Sequence, residues 1–229
     1  MTVRFGHFGN DLPNPGTQLR VHRQAPDGGI YARFFKRALD VLAVLVMAPI
    51  ILPATLVLVA IVALEGGAPI YKSARVGRNG RVFGMYKIRT MVPNASELLA
   101  RHLDRCTKAR LEWEATQKLR HDPRITRIGQ FLRKSSLDEL PQLWNVLRGE
   151  MSLVGPRPML PEQRTLYPGA AYYELRPGLT GPWQVSERNQ SRFSKRAEFD
   201  SSYYQTLSFA GDVKLLFRTV AVVLRATGY

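Results

Sequence analysis

The sequence predicts an α+β fold: a mainly helical, monotopic membrane protein with a re-entrant membrane helix, a small β-hairpin and interfacial amphipathic helices. Three observations support this prediction. An apolar run at residues 38–64 contains two prolines, strand-like runs flank the dipeptide Asn79-Gly80, and apolar residues recur at helical spacing along much of the remaining chain. The first observation predicts the membrane attachment, and the other two predict the mixture of strands and helices.

The apolar run at residues 38–64 carries one charged residue, Asp40. It is longer than the ~20 residues that a helix needs to cross the hydrocarbon core of a bilayer. Pro49 and Pro53 lie near its centre. Each proline removes a backbone donor and crowds the carbonyl group four residues earlier, so we expect a sharp kink there. Each half of a kinked helix is too short to span the bilayer alone.

Basic residues flank the apolar run on both sides: Arg33, Lys36 and Arg37 before it, and Lys72, Arg75, Arg78 and Arg81 after it. Short basic flanks tend to stay on the cytoplasmic side of a membrane. A helix that enters, bends at the prolines and leaves on the same face satisfies both flanks. A kinked transmembrane span and a buried core helix of a soluble protein remain as alternatives.

The segments after the apolar run alternate between strand and helix signals. Asn79-Gly80 between the runs 70–77 and 81–91 predicts a β-hairpin. Residues 95–120 lack Gly and Pro and predict one helix with a charged face. Residues 155–190 are rich in Pro and Gly and predict loops. Residues 213–224 predict an amphipathic helix that lies in a membrane interface or packs on the core.

A further helix is predicted to begin near Ser136, because Glu139 follows three residues later as in a capping box. Its apolar face consists of Leu137, Leu140, Leu143, Trp144 and Leu147. Residues 1–30 show no sustained periodicity and predict a mobile arm. The apolar run lies too far from the N-terminus for a secretory signal.

The chain is strongly basic, with 33 Lys and Arg against 18 Asp and Glu and a formal net charge of +15. Such a surface favours a polyanionic neighbour, which can be nucleic acid, an anionic membrane or phosphorylated substrates. The long apolar run and the absence of aromatic residues interleaved with the basic ones argue against nucleic acid. The single cysteine, Cys106, excludes an internal disulfide.

The adjacent carboxylates Asp138 and Glu139 are the strongest candidates for chemistry. They can simply complement the dipole of a helix N-terminus. Alternatively, one can attack phosphorus as a nucleophile while the other holds a divalent cation that neutralises phosphate charge. The basic residues Arg127, Arg133 and Lys134 lie close to the pair in sequence and favour this second interpretation. Other reaction classes lack their signals, since the sequence has no metal-ligand spacing of histidines, no P-loop, no dinucleotide fingerprint and no nucleophile elbow.

The chain resembles the bacterial sugar transferase family, the monotopic phosphoglycosyl transferases that begin bacterial surface glycans. The resemblance extends from about Tyr31 to the C-terminus and contains the family's blocks in order, at residues 87–91, 122–129, 133–147, 149–158 and 176–185. Only the N-terminal arm falls outside it. The chain is similar to the minimal catalytic form of the family, without the additional membrane helices of larger members.

The resemblance implies an activity as well as a fold. It implies transfer of a hexose-1-phosphate from a UDP-sugar to polyprenyl (undecaprenyl) phosphate, with release of UMP, as the first step of exopolysaccharide or other surface glycan synthesis. Asp138 would attack the sugar-bearing phosphate and form a covalent phosphosugar intermediate. Glu139 would bind Mg²⁺, and Ala48-Pro49, assisted by Pro53, would form the membrane bend. The implied location is the bacterial inner membrane, with the active site on the cytoplasmic face.

The same resemblance suggests supporting residues for phosphate and nucleotide binding: Lys87, Arg89, Arg157, Arg176 and Gln184. Lys87 and Arg89 can instead face lipid or solvent, and Arg157 can be an ordinary loop arginine. The expected partners are the UDP-sugar donor, the polyprenyl phosphate acceptor and anionic lipids, without nucleic acid, while a homo-oligomer is left open. The predicted domains are the arm at 1–30, the re-entrant helix at 31–70 and a catalytic domain at 71–229. A catalytically inactive membrane adaptor is the alternative, although it has no need of the carboxylate pair.

Overall fold

The computed structural model describes residues 29–116, 119–186 and 193–224. The predicted N-terminal arm lies outside these residues, apart from its last two. The helices are α1 (Lys36–Ala63), α2 (Ala95–Arg105), α3 (Thr107–Thr116), α4 (Arg127–Ser135), α5 (Gln142–Leu147), α6 (Ala171–Glu174), α7 (Pro182–Ser186), α8 (Arg196–Gln205) and α9 (Phe209–Leu224). The strands are β1 (Ile70–Val76), β2 (Val82–Ile88), β3 (Ser152–Val154) and β4 (Gly178–Thr180). The mainly helical α+β fold is confirmed.

Helix α1 contains the predicted apolar run and continues through both prolines. Pro49 and Pro53 lie inside an uninterrupted α-helix, so the helix continues through the position of the expected kink. Each proline removes only one hydrogen bond, and the neighbouring bonds of the ladder remain. The Thr55 hydroxyl also donates to the carbonyl of Ile51 at 2.7 Å, a contact that often bends helices.

One face of α1 contacts the rest of the protein near both ends of the helix. Near the beginning, Asp40 accepts a hydrogen bond from the amide of Leu153 at 3.0 Å. Near the end, Val62 is fully buried against Ile88 and Leu132. The other faces are exposed, since only 6% of the most apolar 18-residue window of the helix is buried. The mean hydropathy of this window is 2.7. A core helix of a soluble protein would be mostly buried, so that alternative is not supported, and the helix is long and apolar enough to cross a membrane.

The beginning of α1 is fixed to the C-terminal helices through Asp212. Lys36 Nζ lies 2.6 Å from Asp212 Oδ2, which also accepts from the Tyr31 hydroxyl at 2.7 Å. The Tyr203 hydroxyl of α8 donates to Asp212 Oδ1 at 2.6 Å. This network holds the apolar helix in a fixed position on the domain.

The predicted hairpin is confirmed, and it provides one wall of the site. Strands β1 and β2 pair antiparallel, with Arg75 opposite Phe83 and Tyr71 opposite Lys87. Asn79 and Gly80 adopt positive φ angles of 57° and 73° in the connection. Directly paired residues lie on the same face of a sheet, so Arg75 and Lys87 share one face of this hairpin.

The single helix predicted for residues 95–120 is wrong, because two helices occupy the described part of this segment. Cys106 is extended between α2 and α3, with φ −131° and ψ 101°. Arg110 of α3 donates to the carbonyl of Leu103 at 3.2 Å and pairs with the Asp104 carboxylate. It therefore provides a hydrogen-bond donor for a carbonyl group in the last turn of α2. This stabilisation comes from a folded-back helix, which the local sequence does not indicate.

The capping box predicted at Ser136 is also wrong. Ser136 has a left-handed conformation, φ 57° and ψ 18°, and its side chain makes no cap hydrogen bond. It ends α4, and residues Leu137–Glu139 form a 3-10 turn before α5 begins at Gln142. The chain therefore reverses at the carboxylate pair instead of starting a helix with it.

A small parallel sheet, which the loop prediction for residues 155–190 did not include, forms the opposite wall of the site. Strands β3 and β4 pair Ser152 with Gly178 and Val154 with Thr180. A Cβ atom at Gly178 would lie 2.1 Å from the amide nitrogen of Gly155, so only glycine permits this approach. The sheet fixes the segment 155–158 beside β4.

Helix α4 approaches the hairpin through Gly129, and we expect Gly129→Ala to destabilise the protein. A Cβ atom there would lie 2.1 Å from the carbonyl oxygen of Thr90, and backbone must move to admit it. The expected loss is about 1–3 kcal/mol in the free energy of unfolding. Thermal unfolding in detergent measures it, with Gly211→Ala in α9 as the control, since the nearest atom there is a serine hydroxyl at 3.1 Å. An unchanged midpoint for Gly129→Ala would show that the contact is not tight.

Candidate active site

The carboxylate pair meets a lysine from the hairpin. Lys87 Nζ lies 2.8 Å from Glu139 Oε1 and 3.5 Å from Asp138 Oδ2, so one ammonium group contacts both acids. The 3-10 turn that follows Ser136 brings the two carboxylates to the hairpin face. Asp138 is buried, whereas the Glu139 side chain is 28% exposed. The two acids therefore differ in environment although they are adjacent in sequence.

The environment of Asp138 favours retention of a proton. Burial raises the pKa of Asp138, the charge of Lys87 opposes this effect, and the charge of Glu139 adds to it. Arg133 of α4 also lowers the pKa of Asp138 and is held by a hydrogen bond from its Nε to the Thr90 hydroxyl at 2.9 Å. A carboxylate with a raised pKa and a neighbouring cation is a common arrangement at catalytic sites.

A cleft opens over Lys87 and Glu139. Its walls come from the hairpin, the start of α5, the segment 155–158, β4 and α7. The lining residues are Arg75, Met85, Lys87, Glu139, Gln142, Arg157, Pro158, Gly178, Leu179 and Gln184. The buried amide nitrogen of Gln142 has no hydrogen-bond partner among the described residues, so it remains available as a donor within this cleft.

Four of the residues predicted to form the site line this cleft: Lys87, Glu139, Arg157 and Gln184. Asp138 reaches them through Lys87. Arg89 and Arg176 do not line it. The Arg89 guanidinium donates to the carbonyls of Val62 and Ala68 at 3.1 and 3.0 Å, and Arg176 Nε donates to the carbonyl of Gly149 at 3.0 Å.

The structure adds two residues that the sequence analysis did not place at the site, and it shows how a third, Arg133, acts there. Arg75 and Gln142 line the cleft, and Arg133 acts on Asp138. The hairpin register provided a signal for Arg75, since it places Arg75 and Lys87 on one face. Arg133 was noted as a neighbour of the acids in sequence, but its contact with Thr90 was not foreseeable.

The donor set fits a magnesium ion that is shared with a phosphate substrate. Among the described residues, no group of three or more His, Cys, Asp or Glu side chains could hold a metal. Asp138 and Glu139 supply two carboxylates at the cleft. Mg²⁺ is usually bound by one or two carboxylates, with substrate phosphates and water as the other ligands. The carboxylate pair suits that type of site and does not suit a metal bound by protein alone.

Comparison with known proteins identifies the family. The sequence profile described as "Bacterial sugar transferase" matches residues 31–226. The chain belongs to the bacterial sugar transferase family. Its resemblance to that family is therefore confirmed, and the matched residues include every part of the cleft.

Several named bacterial proteins are similar to this chain in sequence. The "UDP-galactose-lipid carrier transferase" of Erwinia amylovora is 49% identical over 199 residues, which are 86% of this chain and 42% of that protein. The "Undecaprenyl-phosphate galactose phosphotransferase" of Salmonella typhimurium is 46% identical, with the same two coverages. "Exopolysaccharide production protein ExoY" of Sinorhizobium fredii is 42% identical over 89% of both chains. The chain thus spans less than half of the first two relatives and most of the third.

Proposed function

We propose that this protein transfers a hexose-1-phosphate from a UDP-sugar to polyprenyl (undecaprenyl) phosphate, releases UMP and so begins an exopolysaccharide or another surface glycan. The observation that supports it most directly is the contact of one lysine with two adjacent carboxylates at the base of an arginine-lined cleft. Phosphoryl transfer needs positioning and charge neutralisation, and these groups supply both. The names of two relatives, which mention a lipid carrier and undecaprenyl phosphate, support the choice of acceptor.

The reaction proceeds in two displacements at one phosphorus atom. A carboxylate oxygen of Asp138 forms a bond to the sugar-bearing phosphorus, the bond from this phosphorus to the bridging oxygen breaks, and UMP leaves with the electron pair. An oxygen of polyprenyl phosphate then attacks the same phosphorus, the bond to Asp138 breaks, and the carboxylate is regenerated. The buried position of Asp138 and its contact with Lys87 support the role of nucleophile.

Glu139 is the residue that would hold Mg²⁺, because its side chain is the more exposed of the two carboxylates at the cleft. When bound, the ion would neutralise charge on the phosphates. Lys87 and Arg133 favour the charged form of Asp138 and so oppose the rise in its pKa that burial causes, and Gln142 offers a neutral donor to a substrate oxygen.

The membrane helix supports a re-entrant arrangement at the cytoplasmic face of the inner membrane. Both ends of α1 pack against the same domain, at Leu153 and at Ile88, while its other faces are apolar and exposed. A re-entrant seating would bring the cleft near the headgroups, where the phosphate of a polyprenyl acceptor lies. The basic surface favours anionic lipids at the same level.

A direct test incubates the purified protein with Mg²⁺ and UDP-galactose or UDP-glucose, without acceptor. Intact-protein mass spectrometry should show an added hexose phosphate, and UMP should appear in equal amount. Addition of polyprenyl phosphate should remove the adduct and give a lipid-linked sugar diphosphate. If no UDP-sugar gives an adduct or UMP release, with or without acceptor, the result would favour the inactive adaptor.

Removal of the divalent cation should abolish turnover. With EDTA in excess, we expect the rate of UMP release to fall at least about 100-fold, because the phosphate charge near Glu139 is then not neutralised. Restoration by Mg²⁺, with the unfolding midpoint unchanged, would confirm the expectation. Full activity in EDTA would exclude a metal at Glu139.

The re-entrant arrangement predicts that both flanks of α1 lie on the cytoplasmic side. In a Cys106→Ser background, single cysteines at Arg33 and Gly66 should both be protected from an impermeant thiol reagent in intact cells and labelled in inside-out vesicles. If α1 were a transmembrane span, the reagent would label one of the two cysteines from outside the cell and the other from the cytoplasmic side.

The two prolines of α1 provide a separate test of the re-entrant arrangement. Replacement of both Pro49 and Pro53 by leucine should lower activity by moving the cleft away from the headgroup plane. Full activity with unchanged labelling would contradict this account of the bend.

A further inference from the structure

A second group of basic residues lies in the cleft and directly beside it, away from the carboxylate pair. It consists of Arg75 in β1, Arg157 in the segment 155–158 and Arg196 at the start of α8, and we call these three residues the arginine cluster. Arg75 and Arg157 line the cleft. Arg75 pairs with Phe83, four residues before Lys87 on the neighbouring strand. This separation is roughly 13 Å along the hairpin, so Arg75 and Lys87 mark two ends of one wall.

Trp183 connects two members of the arginine cluster. Its ring is buried, and the Arg196 guanidinium carbon lies 4.1 Å from the ring centroid, while that of Arg157 lies 5.8 Å away. Arg196 also lies 4.6 Å from the ring centroid of Phe193. Contact with aromatic faces holds a guanidinium in a fixed plane. Trp183 therefore couples the position of Arg157 to that of Arg196.

The charge of the arginine cluster is incompletely compensated. Burial lowers the pKa of Arg75, and the charge of Arg157 lowers it further. Burial lowers the pKa of Arg196 to about 10, and Arg157 and Arg75 act in the same direction. Glu162 opposes the effect on Arg75, and Asp200 opposes that on Arg196. The three guanidinium groups repel one another, so the binding of an anion between them would be favourable.

Buried donors in the arginine cluster also remain unused. Nε of Arg75 and Nε of Arg196 are buried and have no hydrogen-bond partner among the described residues. A buried donor without an acceptor is costly, and the unused donor of Arg75, which lines the cleft, indicates a missing acceptor group there. Arginine suits a phosphate because its planar donors can bind two oxygens at once.

We propose that the arginine cluster is the subsite for the phosphate that leaves with the nucleotide, so that a nucleoside monophosphate is its ligand. Arg75 and Arg157 contact this phosphate, and Arg196 is a positioning residue that acts through Trp183. This inference rests on the proposed function, which places the transferred phosphate at Asp138. Lys87 is already engaged by the two carboxylates, so the departing phosphate needs other cations further along the cleft.

Titration of UMP into the purified full chain in detergent micelles, followed by calorimetry, tests the subsite without any turnover. Arg75→Gln should raise the dissociation constant about tenfold to 100-fold, because a charge-assisted contact is lost. Arg75→Lys keeps the charge and should lie between Arg75→Gln and the wild type. Arg101→Gln is the matched control, since the Arg101 side chain on α2 is 63% exposed, and it should bind UMP like the wild type. An unchanged dissociation constant for Arg75→Gln, or no binding by the wild type, overturns the proposal.

The two half-reactions separate a nucleotide subsite from an acceptor subsite and from a structural role. Arg75→Gln should raise the donor concentration that gives half-maximal adduct formation, and it should leave transfer from the isolated adduct to polyprenyl phosphate unchanged. Equal slowing of both half-reactions, or slowing of the second alone, contradicts the proposal. If the wild type forms no adduct, the proposed function fails, but the UMP titration still decides whether the subsite exists.

Arg196 requires a separate readout because it is not expected to touch the phosphate. Arg196→Met should weaken UMP binding less than Arg75→Gln does, and Arg196→Lys should restore part of the affinity by keeping a cation over Trp183. Thermal unfolding of each variant shows whether the fold is intact. Equal weakening by Arg196→Met and Arg196→Lys, with an unchanged unfolding midpoint, contradicts the positioning role.

Discussion

Asp138→Asn is expected to abolish adduct formation and lower turnover by at least ~10⁴-fold, because an amide cannot serve as the nucleophile. The substitution conserves the size of the side chain, so the buried site should remain filled. Radiolabelled UDP-sugar and intact-protein mass spectrometry measure the loss of the phosphosugar adduct. UMP binding by the variant, measured by calorimetry, shows whether the cleft is still formed.

Two further variants separate the nucleophile from its neighbour. Glu139→Gln should slow adduct formation but still permit it, since Asp138 retains its carboxylate. Asp104→Asn is the control, because its 78% exposed side chain pairs with Arg110 far along the chain from the carboxylate pair. Adduct formation by Asp138→Asn at the wild-type rate would exclude Asp138 as the nucleophile, and loss of the adduct in Glu139→Gln alone would assign that role to Glu139.

The sequence predicted the elements that local signals determine. Asn79 and Gly80 have positive φ angles in a hairpin connection, as their residue types indicate. The apolar run became a single long helix with exposed apolar faces. In both cases neighbouring residues decide the structure, so a reading along the chain is sufficient.

Other features depend on contacts between distant segments and were not predicted. Ser136 has the composition of a helix start, yet its left-handed conformation ends α4 and turns the chain at Asp138. Arg89 and Arg176 belong to family blocks, yet they bind backbone carbonyls outside the cleft. Arg75 and Arg157 come together only because the hairpin and the segment 155–158 line the same cleft. No local pattern contains that information.

The pH dependence of adduct formation should reflect the raised pKa of Asp138. The charged carboxylate is the active form, so activity is present above this pKa and is lost as the pH falls through it. Since burial raises the pKa of Asp138, the loss should begin above the usual range of an aspartate. Lys87 opposes this shift, and its removal should therefore move the acidic limb of the pH profile towards neutrality.

Lys87→Met is accordingly expected to lower adduct formation about 100-fold to 1000-fold at neutral pH, with a smaller loss at higher pH. The substitution leaves Asp138 beside Glu139 without the cation that contacts both. Rates measured from pH 5 to 9 test the shift. The control is Lys72→Met on the same hairpin, where Lys72 pairs with Tyr86 and its ammonium group lies 5.7 Å from that ring. This control should keep the wild-type profile.

The shape of the Lys87→Met profile distinguishes two roles of the lysine. If Lys87 mainly holds the nucleophile in its charged form, the rate should recover as the pH rises, because Asp138 then ionises without help. If Lys87 mainly neutralises the transferred phosphate, the rate should be reduced by the same factor at every pH. The geometry favours the first role, because the ammonium group already lies within 3.5 Å of both carboxylates in the absence of substrate. A uniform reduction would contradict it and would place Lys87 with the phosphate-binding groups instead.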